Sequence, residues 1–262
     1  MNAKWIRPFP PFRLADDLCY VGTDGGPAYL LATGDGLVMI DASYPETFSS
    51  VTAGIRQMGY DPADIRHILL THGHLDHVGG AAALAAETKA KIYIGAPDAD
   101  AVAGKNDLIF ADGETIADVP YFTPDVLLSD GDVLRFGNTE IRCVSTAGHT
   151  AGAMSLFFPV HLAGKEYRAG MFGGAGLNTL TAAYLDRHGL PRALRSDYLR
   201  SIEKIYGEPV EFHVGNHLSD NRSREKMKRV GEEPNPFLAE NTYRSFLETK
   251  RTAALELFRK EP

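Results

Sequence analysis

The sequence predicts an α/β protein in which two β-sheets pack face to face and helices cover their outer sides. Short apolar runs with the length of strands alternate with amphipathic or alanine-rich segments with the length of helices. This alternation occurs in about residues 1–125 and again in about residues 126–262, and the two stretches are similar in make-up. Because each half must bury one face of its sheet, we predict a single domain built from two αβ halves.

The first half is predicted to begin with a three-stranded meander and to continue as a β-α-β unit. Its predicted strands are 18–22, 28–33, 36–41, 65–71 and 91–95, and its predicted helices are 46–58 and 81–88. Residues 98–126 show neither helical nor strand periodicity. A loop of this length inside a compact domain is usually functional, so we interpret it as a flap over a pocket.

The second half is predicted to contain six strands and two helices. The strands are 126–128, 133–136, 140–145, 153–158, 167–172 and 210–214, and the helices are 194–205 and 236–259. A turn at Ala163-Gly164-Lys165 lies between the fourth and fifth of these strands, which indicates a hairpin.

Charge and composition disfavour several classes of partner. The chain of 262 residues has a formal net charge of -7 at pH 7, and phosphate binding needs a basic face. The basic run from Arg222 to Arg229 is interpreted as a solvent-exposed helix face. No apolar run approaches the roughly 20 residues of a membrane span, and residues 1–14 lack the apolar stretch of a signal peptide. We expect a cytoplasmic protein without nucleic-acid or membrane partners, exported only if a leader has been removed. The sequence does not define its oligomeric state.

The two cysteines are not expected to bind metal, because no C-x-x-C pattern is present. Cys19 and Cys143 both lie in apolar runs, so buried free thiols are expected. A disulfide between them stays open, since a sequence carries no geometry.

The residues that carry chemistry follow directly after the predicted strand 65–71. The segment from His72 to His77 reads H-G-H-L-D-H and places three imidazoles and one carboxylate within six positions. These groups are zinc ligands in proteins, at about 2.0–2.2 Å. On a loop, His72 and His74 can face one ion while Asp76 and His77 project toward a neighbouring point. The cluster has too few suitably placed ligands for two ions, so others must come from distant segments.

Two more histidines follow other predicted strands. His149 stands in an A-G-H-T run after strand 140–145, and His217 stands in a G-N-H run after strand 210–214. His213 remains an alternative to His217, although its apolar neighbours favour a place in the core. Structural roles are expected for the histidines His67, His161 and His188.

The H-x-H-x-D-H run at His72–His77, the G-H-T at His149 and the late His217 resemble the metallo-β-lactamase superfamily. The resemblance covers nearly the whole chain. Residues 65–79 and the loop 107–131 are most similar to the third subclass of class B β-lactamases. The resemblance implies a four-layer αβ/βα sandwich with metal ions in a groove at one edge of the sheets.

The resemblance also implies two zinc ions and their ligands. The first ion would be held by His72, His74 and His149. The second ion would be held by Asp76, His77 and His217. Asp76 would in addition act in catalysis by orienting the attacking water.

One position departs from much of the family. Many members have a bridging Asp after the strand that ends here at Phe172, and the first lactamase subclass has a Cys, whereas this chain has Ala175. The third subclass also lacks a ligand there and uses a histidine of the cluster, as His77 is here. A bridging-carboxylate enzyme is therefore disfavoured. Asp41, at the end of strand 36–41, is expected to accept a hydrogen bond from the ring N–H of a ligating histidine that does not face the metal.

The resemblance therefore predicts a zinc-dependent hydrolase that opens a cyclic amide or ester, with β-lactams as the family-implied substrate. Alternatives are a cytoplasmic lactonase or thioesterase, a di-iron oxidoreductase on the same scaffold, and a binding module that has lost activity. Nucleases are disfavoured by the acidic charge. Candidate contacts for the small-molecule substrate are Phe110, Ile116 and Asn178.

Overall fold

The computed structural model describes residues 5–111, 118–238 and 241–261. Within these ranges the chain forms two β-sheets, one of seven strands and one of five. The sheets share an inner core, and each packs its outer face against helices. The four-layer sandwich predicted from the sequence is therefore confirmed.

The first sheet changes from an antiparallel meander to a parallel array. Its strands, in spatial order as well as chain order, are β1 (Phe12–Ala15), β2 (Leu18–Tyr20), β3 (Tyr29–Thr33), β4 (Gly36–Ile40), β5 (Ile65–Leu69), β6 (Lys91–Gly95) and β7 (Val126–Leu128). Pairing is antiparallel from β1 to β4 and parallel from β4 to β7. The carboxyl ends of β4, β5 and β6 consequently lie at one edge.

The second sheet is antiparallel except at one end. Its strands are β8 (Val133–Phe136), β9 (Thr139–Ser145), β10 (Met154–Leu162), β11 (Lys165–Met171) and β12 (Phe212–His213), in the spatial order β12-β11-β10-β9-β8. The predicted hairpin is β10 paired with β11, and β11 pairs with β12 in parallel. Strands β9, β11 and β12 therefore run in the same direction.

Helices form the two outer layers and several connections. The helices are α1 (Phe48–Gln57), α2 (Leu75–Val78), α3 (Ala81–Thr88), α4 (Ala99–Val102), α5 (Ala182–Arg187), α6 (Ala193–Ile205), α7 (Ser223–Met227) and α8 (Thr242–Lys260). Side chains of α1 and α3 pack on the first sheet, and those of α6 and α8 pack on the second.

Alternation along the strands separates the inner core from the outer layers. In β3, Tyr29 and Leu31 face the second sheet, while Leu30 between them faces the helices. All three are completely buried, and full burial of a large apolar side chain stabilises a fold by about 1.5–3 kcal/mol. Both sheets thus carry apolar side chains on both of their faces. This leaves the ends of the strands as the places for polar residues.

Two assignments made from the sequence are wrong. Val126–Leu128 does not open the second half, because β7 pairs with β6 at the edge of the first sheet. The last helix begins at Thr242 and not near residue 236, because Phe237 is buried in the inner core and its N–H is bonded to Asn235 Oδ1 in a turn. Strand β1 and helices α2, α4, α5 and α7 were not predicted from the sequence.

Two other expectations concern thiols and membranes. Cys19 and Cys143 are both buried and free, which confirms the expectation of buried thiols and shows no disulfide between them. In the part of the chain that the structure describes, no helix combines the length and apolar character needed to cross a bilayer.

Candidate metal centre

The candidate metal centre lies where strand ends of both sheets meet. Asp41 and the histidine cluster follow the parallel neighbours β4 and β5, while His149 and His217 follow β9 and β12. A backbone hydrogen bond of 2.8 Å from the Met154 N–H to the Thr71 carbonyl joins the two sheets at this place. Sites outside the carboxyl ends of strands are typical of open α/β sheets.

The first triad consists of His72, His74 and His149. Each offers one ring nitrogen, and these three atoms lie within 4.8 Å of one another. His74 Nδ1 is 2.9 Å from His149 Nε2. His72 Nε2 is completely buried and has no hydrogen-bond partner among the described residues. A buried orphan nitrogen beside two others is satisfied by a metal ion, so this donor set fits zinc.

The second triad consists of Asp76, His77 and His217, whose ligand atoms also lie within 4.8 Å of one another. His77 Nε2 is 3.1 Å from His217 Nε2. Asp76 Oδ2 lies 3.4 Å from the former nitrogen and 3.6 Å from the latter. Asp76 and His77 stand on α2, not on a loop as expected, and the centroid of the His77 ring lies 3.9 Å from that of His72 in the first triad.

Crowding and burial keep most of these imidazoles neutral. Burial, reinforced by neighbouring histidines, holds the pKa of His72 and His149 well below the usual range. Burial lowers the pKa of His74 to about 4 and also lowers the pKa of His217. Metal ions bind neutral imidazole, so four of the five histidines are already in the protonation state that a ligand needs.

His77 is the exception. Its burial favours the neutral ring, but the carboxylates of Asp76 and Asp41 outweigh burial and raise its pKa to about 10. Burial opposes ionisation of Asp76, yet His77 lowers the pKa of that carboxyl below its usual range. A cation bound between these groups would take the place of the His77 proton, so metal binding at this triad releases a proton.

Asp41 occupies the supporting position expected from the sequence. Its Oδ2 lies 2.7 Å from His77 Nδ1, which leaves Nε2 of that ring to face the second triad. Its Oδ1 accepts the Thr71 N–H at 2.8 Å, and Asn216 Nδ2 donates to Oδ2 at 3.2 Å. The side chain is fully buried and its backbone has φ 56°, a left-handed conformation that costs energy for a non-glycine residue.

The first triad is oriented by a different set of contacts. His72 Nδ1 lies 3.1 Å from Thr71 Oγ1. His149 Nδ1 lies 3.0 Å from the Gly176 carbonyl and 3.0 Å from Thr179 Oγ1. In both rings Nδ1 therefore has a hydrogen-bond partner, and Nε2 is left to bind a metal ion. This is the arrangement of metal sites in which a hydrogen bond to the other ring nitrogen orients the histidine.

A cleft of about 440 Å³ leads to the second triad. It is lined by Asp76, His217 and a mixed set of aromatic, polar and charged side chains, among them Trp5, Tyr44, Asn178, Ser219 and Arg224. A smaller adjoining space of about 80 Å³ is lined by ligand residues of both triads and by Ala175 and Asn178. Ala175, which the family resemblance places at the position of a bridging ligand, thus presents a methyl group at the wall of this space.

Of the three predicted substrate contacts, one lines the cleft, one packs elsewhere and one lies outside the described residues. Asn178 lines both spaces. Phe110 packs against the outer core of the first sheet, and its carbonyl accepts a hydrogen bond from the Tyr184 hydroxyl at 3.1 Å, so Ala111 lines the cleft instead. Ile116 lies outside the described residues.

Several lining residues were missed from the sequence. Trp5 and Tyr44 have no motif around them, and the basic run was interpreted as a solvent-exposed face. Arg224 is instead ion-paired with Asp24, which also pairs with Arg7. Only the excess of basic over acidic residues in that run indicated a partner elsewhere in the chain.

The three histidines expected to be structural lie in contacts away from both triads. His67 Nδ1 is 3.0 Å from the Tyr93 hydroxyl. His161 Nδ1 is 2.7 Å from Asp17 Oδ2, and His188 Nδ1 is 3.2 Å from Asp107 Oδ1. None of the three belongs to a group of metal-competent side chains among the described residues.

His213, the alternative to His217, belongs to neither triad. Its ring packs against Tyr243 and Phe246, with centroid distances of 5.3 Å and 5.0 Å. Neither ring nitrogen has a hydrogen-bond partner among the described residues. Burial, assisted by Lys226 and opposed by Asp220, lowers its pKa to about 3.

This buried neutral ring predicts a loss of stability in mild acid. Between pH 6.5 and 5.5 the unfolded chain binds a proton at His213 that the folded chain does not bind, so unfolding becomes easier as pH falls. For this window the linkage amounts to about 1 kcal/mol. We expect the His213→Leu variant to lose about 1 kcal/mol less than the unmodified protein over the same window. Denaturant unfolding of both proteins at the two pH values, at one fixed zinc concentration, measures this difference. An equal fall in both would contradict the assignment.

Comparisons with known proteins agree with this geometry. The model of the metallo-beta-lactamase superfamily matches residues 21–161, more than half of the chain. BJP-1, a subclass B3 metallo-beta-lactamase of Bradyrhizobium japonicum, has 27% identity and a TM-score of 0.88, with 98% of this chain and 97% of that chain covered. Native FEZ-1 metallo-beta-lactamase from Legionella gormanii has 27% identity and a TM-score of 0.84, with 97% of each chain covered.

Curated relatives match over a shorter part. Hydroxyacylglutathione hydrolase of Methylococcus capsulatus is 30% identical over 148 residues, which cover 56% of this chain and 46% of that protein. The chain spans about half the length of the curated relatives it matches. The match to solved structures, in contrast, extends over almost the entire chain.

Proposed function

Because the chain belongs to the metallo-beta-lactamase superfamily, we propose that it is a zinc-dependent hydrolase that binds two ions and opens a cyclic amide or ester. The observation that carries this proposal is the presence of two ligand triads side by side at the end of one cleft. Three protein ligands per ion, with a remaining position for water or substrate, are the pattern of catalytic zinc sites.

Zinc, when bound, supplies an activated water and polarises the carbonyl under attack. The side chains around it orient the reactants. The Asp76 carboxylate lies at the wall of the cleft and can accept a proton of the attacking water, which directs a lone pair toward the substrate. The Asn178 amide, which lines both the cleft and the metal pocket, can donate a hydrogen bond to the carbonyl oxygen as negative charge develops there.

β-Lactams are the first substrate class to test. Two of the solved structures that match nearly the whole chain, BJP-1 and FEZ-1, are named metallo-beta-lactamases. Ala175 at the wall of the metal pocket supports the same assignment, because a bridging carboxylate is absent from the described residues of that pocket. Of the proposed substrate contacts, Asn178 has the support of the cleft geometry, whereas Ile116 stays a prediction and Phe110 is replaced by Ala111 at the wall of the cleft.

The main alternative is a lactonase or thioesterase. Its support is the similarity to a hydroxyacylglutathione hydrolase over part of the chain. A di-iron oxidoreductase is the second alternative, but five imidazoles and one carboxylate form a nitrogen-rich set that favours zinc. The cytoplasmic location and the absence of nucleic-acid partners stay predictions.

Metal analysis combined with three substrates tests the proposal. Protein purified without added metal is expected to carry zinc and to hydrolyse a chromogenic cephalosporin. Activity should disappear after treatment with a chelator and return when zinc is added, because the ions supply the activated water. An acyl-homoserine lactone and a hydroxyacyl thioester of glutathione are assayed in parallel.

Each other outcome identifies a different function. Turnover of only the lactone or only the thioester would replace β-lactam hydrolysis by that alternative. Iron in place of zinc would favour the oxidoreductase. Zinc-loaded protein that hydrolyses none of the three substrates would contradict the proposed reaction.

A further inference from the structure

A buried carboxylate behind the metal centre has no part in the proposed reaction. Asp98 follows strand β6, the parallel neighbour of the strand that ends at the histidine cluster. Asp98 is 5% exposed to solvent. Burial raises the pKa of this carboxyl, and hydrogen bonds from Thr150, Gly73 and Gly152 oppose that effect. A group this costly to bury needs such partners.

Asp98 joins two segments that lie far apart in sequence. Its Oδ2 accepts the Gly73 N–H at 2.8 Å, and Gly73 lies between the ligands His72 and His74. The same oxygen accepts the Thr150 hydroxyl at 2.7 Å, and Oδ1 accepts the Gly152 N–H at 2.7 Å. One side chain thus bridges the cluster segment and the segment that carries the third histidine of the first triad.

The contacts on both sides are tight. A Cβ atom added at Gly73 would lie 3.1 Å from Asp98 Cβ, and one added at Gly152 would lie 2.6 Å from Asp98 Cγ. The second distance is shorter than packed atoms allow. The segment at Gly152 therefore approaches Asp98 more closely than a residue with a side chain would permit, and at Gly73 a side chain would require its neighbours to shift by a few tenths of an ångström.

We propose that Asp98 is a positioning residue that fixes the spacing between the two segments and thereby sets the zinc affinity of the first triad. This inference rests on the proposed function, because it takes the first triad to be a zinc site. All three donors are groups that an acceptor-only carboxylate satisfies together. An amide in its place would direct N–H hydrogens at one of the two backbone N–H groups.

The effect is specific to one triad because the second is supported from elsewhere. Asp41 holds His77, as described above. Asp220 Oδ2 accepts the His217 N–H at 3.0 Å and Oδ1 pairs with Lys250 of α8 at 3.1 Å. Neither of these contacts involves Asp98.

Two backgrounds with a single metal site test the inference. The His217→Ala variant keeps the first triad, and the His149→Ala variant keeps the second. We expect Asp98→Asn to weaken zinc binding by about 10–100-fold in the first background, the range for residues that orient metal ligands. In the second background the change should not exceed about twofold, as for sites without shared partners. Competition titration with a chromophoric zinc chelator measures both affinities.

The control is Asp100→Asn, which removes an exposed carboxylate of α4 that pairs with Lys105 and should leave both affinities unchanged. If Asp98→Asn does not fold, Thr150→Val removes one donor and should show the same selectivity at the lower end of the range. Equal losses in both backgrounds, or no loss in the first, would overturn the inference. The titration decides it even if no tested substrate is hydrolysed, so its failure is distinguishable from failure of the proposed reaction.

Discussion

Replacing His217 by alanine is expected to release one of the two zinc ions and to lower kcat/KM by about 1000-fold. The second triad would keep only Asp76 and His77, and His217 Nε2 is the nitrogen that lies 3.1 Å from His77 Nε2. Metal-ion catalysis is worth several kcal/mol, and each 1.36 kcal/mol is a factor of ten in rate. Metal analysis and steady-state kinetics of the purified variant measure the two effects.

His213→Ala is the matched control, since it removes a histidine only four positions earlier. Its ring packs against Tyr243 and Phe246 of α8, and it belongs to neither triad. We expect two bound zinc ions and unchanged kcat/KM, with a loss of stability of about 2–3 kcal/mol for a buried ring reduced to a methyl group. If His213→Ala releases the second ion and His217→Ala does not, the assignment of the last ligand is wrong.

The Asp41→Asn variant is expected to weaken binding of the second zinc ion by about 10–100-fold and to destabilise the fold. Asparagine tolerates the left-handed backbone of this position, so the substitution tests the side chain and not the conformation. Its amide cannot accept from both the Thr71 N–H and the His77 ring, and one buried donor loses its partner. Such a loss costs about 1–3 kcal/mol, or more beside a charged group.

Zinc titration and denaturant unfolding of Asp41→Asn measure these effects separately. Asp35→Asn, which removes an exposed carboxylate in a turn, is the control and should change neither quantity. Unchanged affinity for the second ion together with reduced stability would show that Asp41 supports only the fold. Weaker binding at the first triad alone would mean that Asp41 acts on His72 through Thr71.

Local sequence predicted much of the fold. The helix Ala81–Thr88 and the strands Lys91–Gly95 and Val133–Phe136 were predicted with the bounds that the structure shows. In each of these segments the periodicity of apolar residues and a flanking glycine or turn are local signals. The six proposed ligands were also predicted from sequence, four of them from one hexapeptide.

Pairings between distant segments were beyond local sequence. Strand β7 pairs with β6 at the edge of the first sheet, and the three residues of β7 contain no local signal that predicts this pairing. Phe237 lies within the predicted helix 236–259, whereas the structure places it in a turn with its side chain in the inner core. Asp98 and Arg224 have no motif, and their roles depend on Thr150, Gly73 and Asp24, which are remote in sequence.

The sequence by itself determined the chemistry of the metal centre, because the spacing of His72, His74, Asp76 and His77 permits few arrangements other than a metal site. The family resemblance implied how these residues divide into two triads, and only the tertiary structure decided that His217, not His213, stands beside His77. The physical reason is that a metal site needs atoms within a few ångströms of one another, and such distances between β5, β9 and β12 arise only when the two sheets pack together.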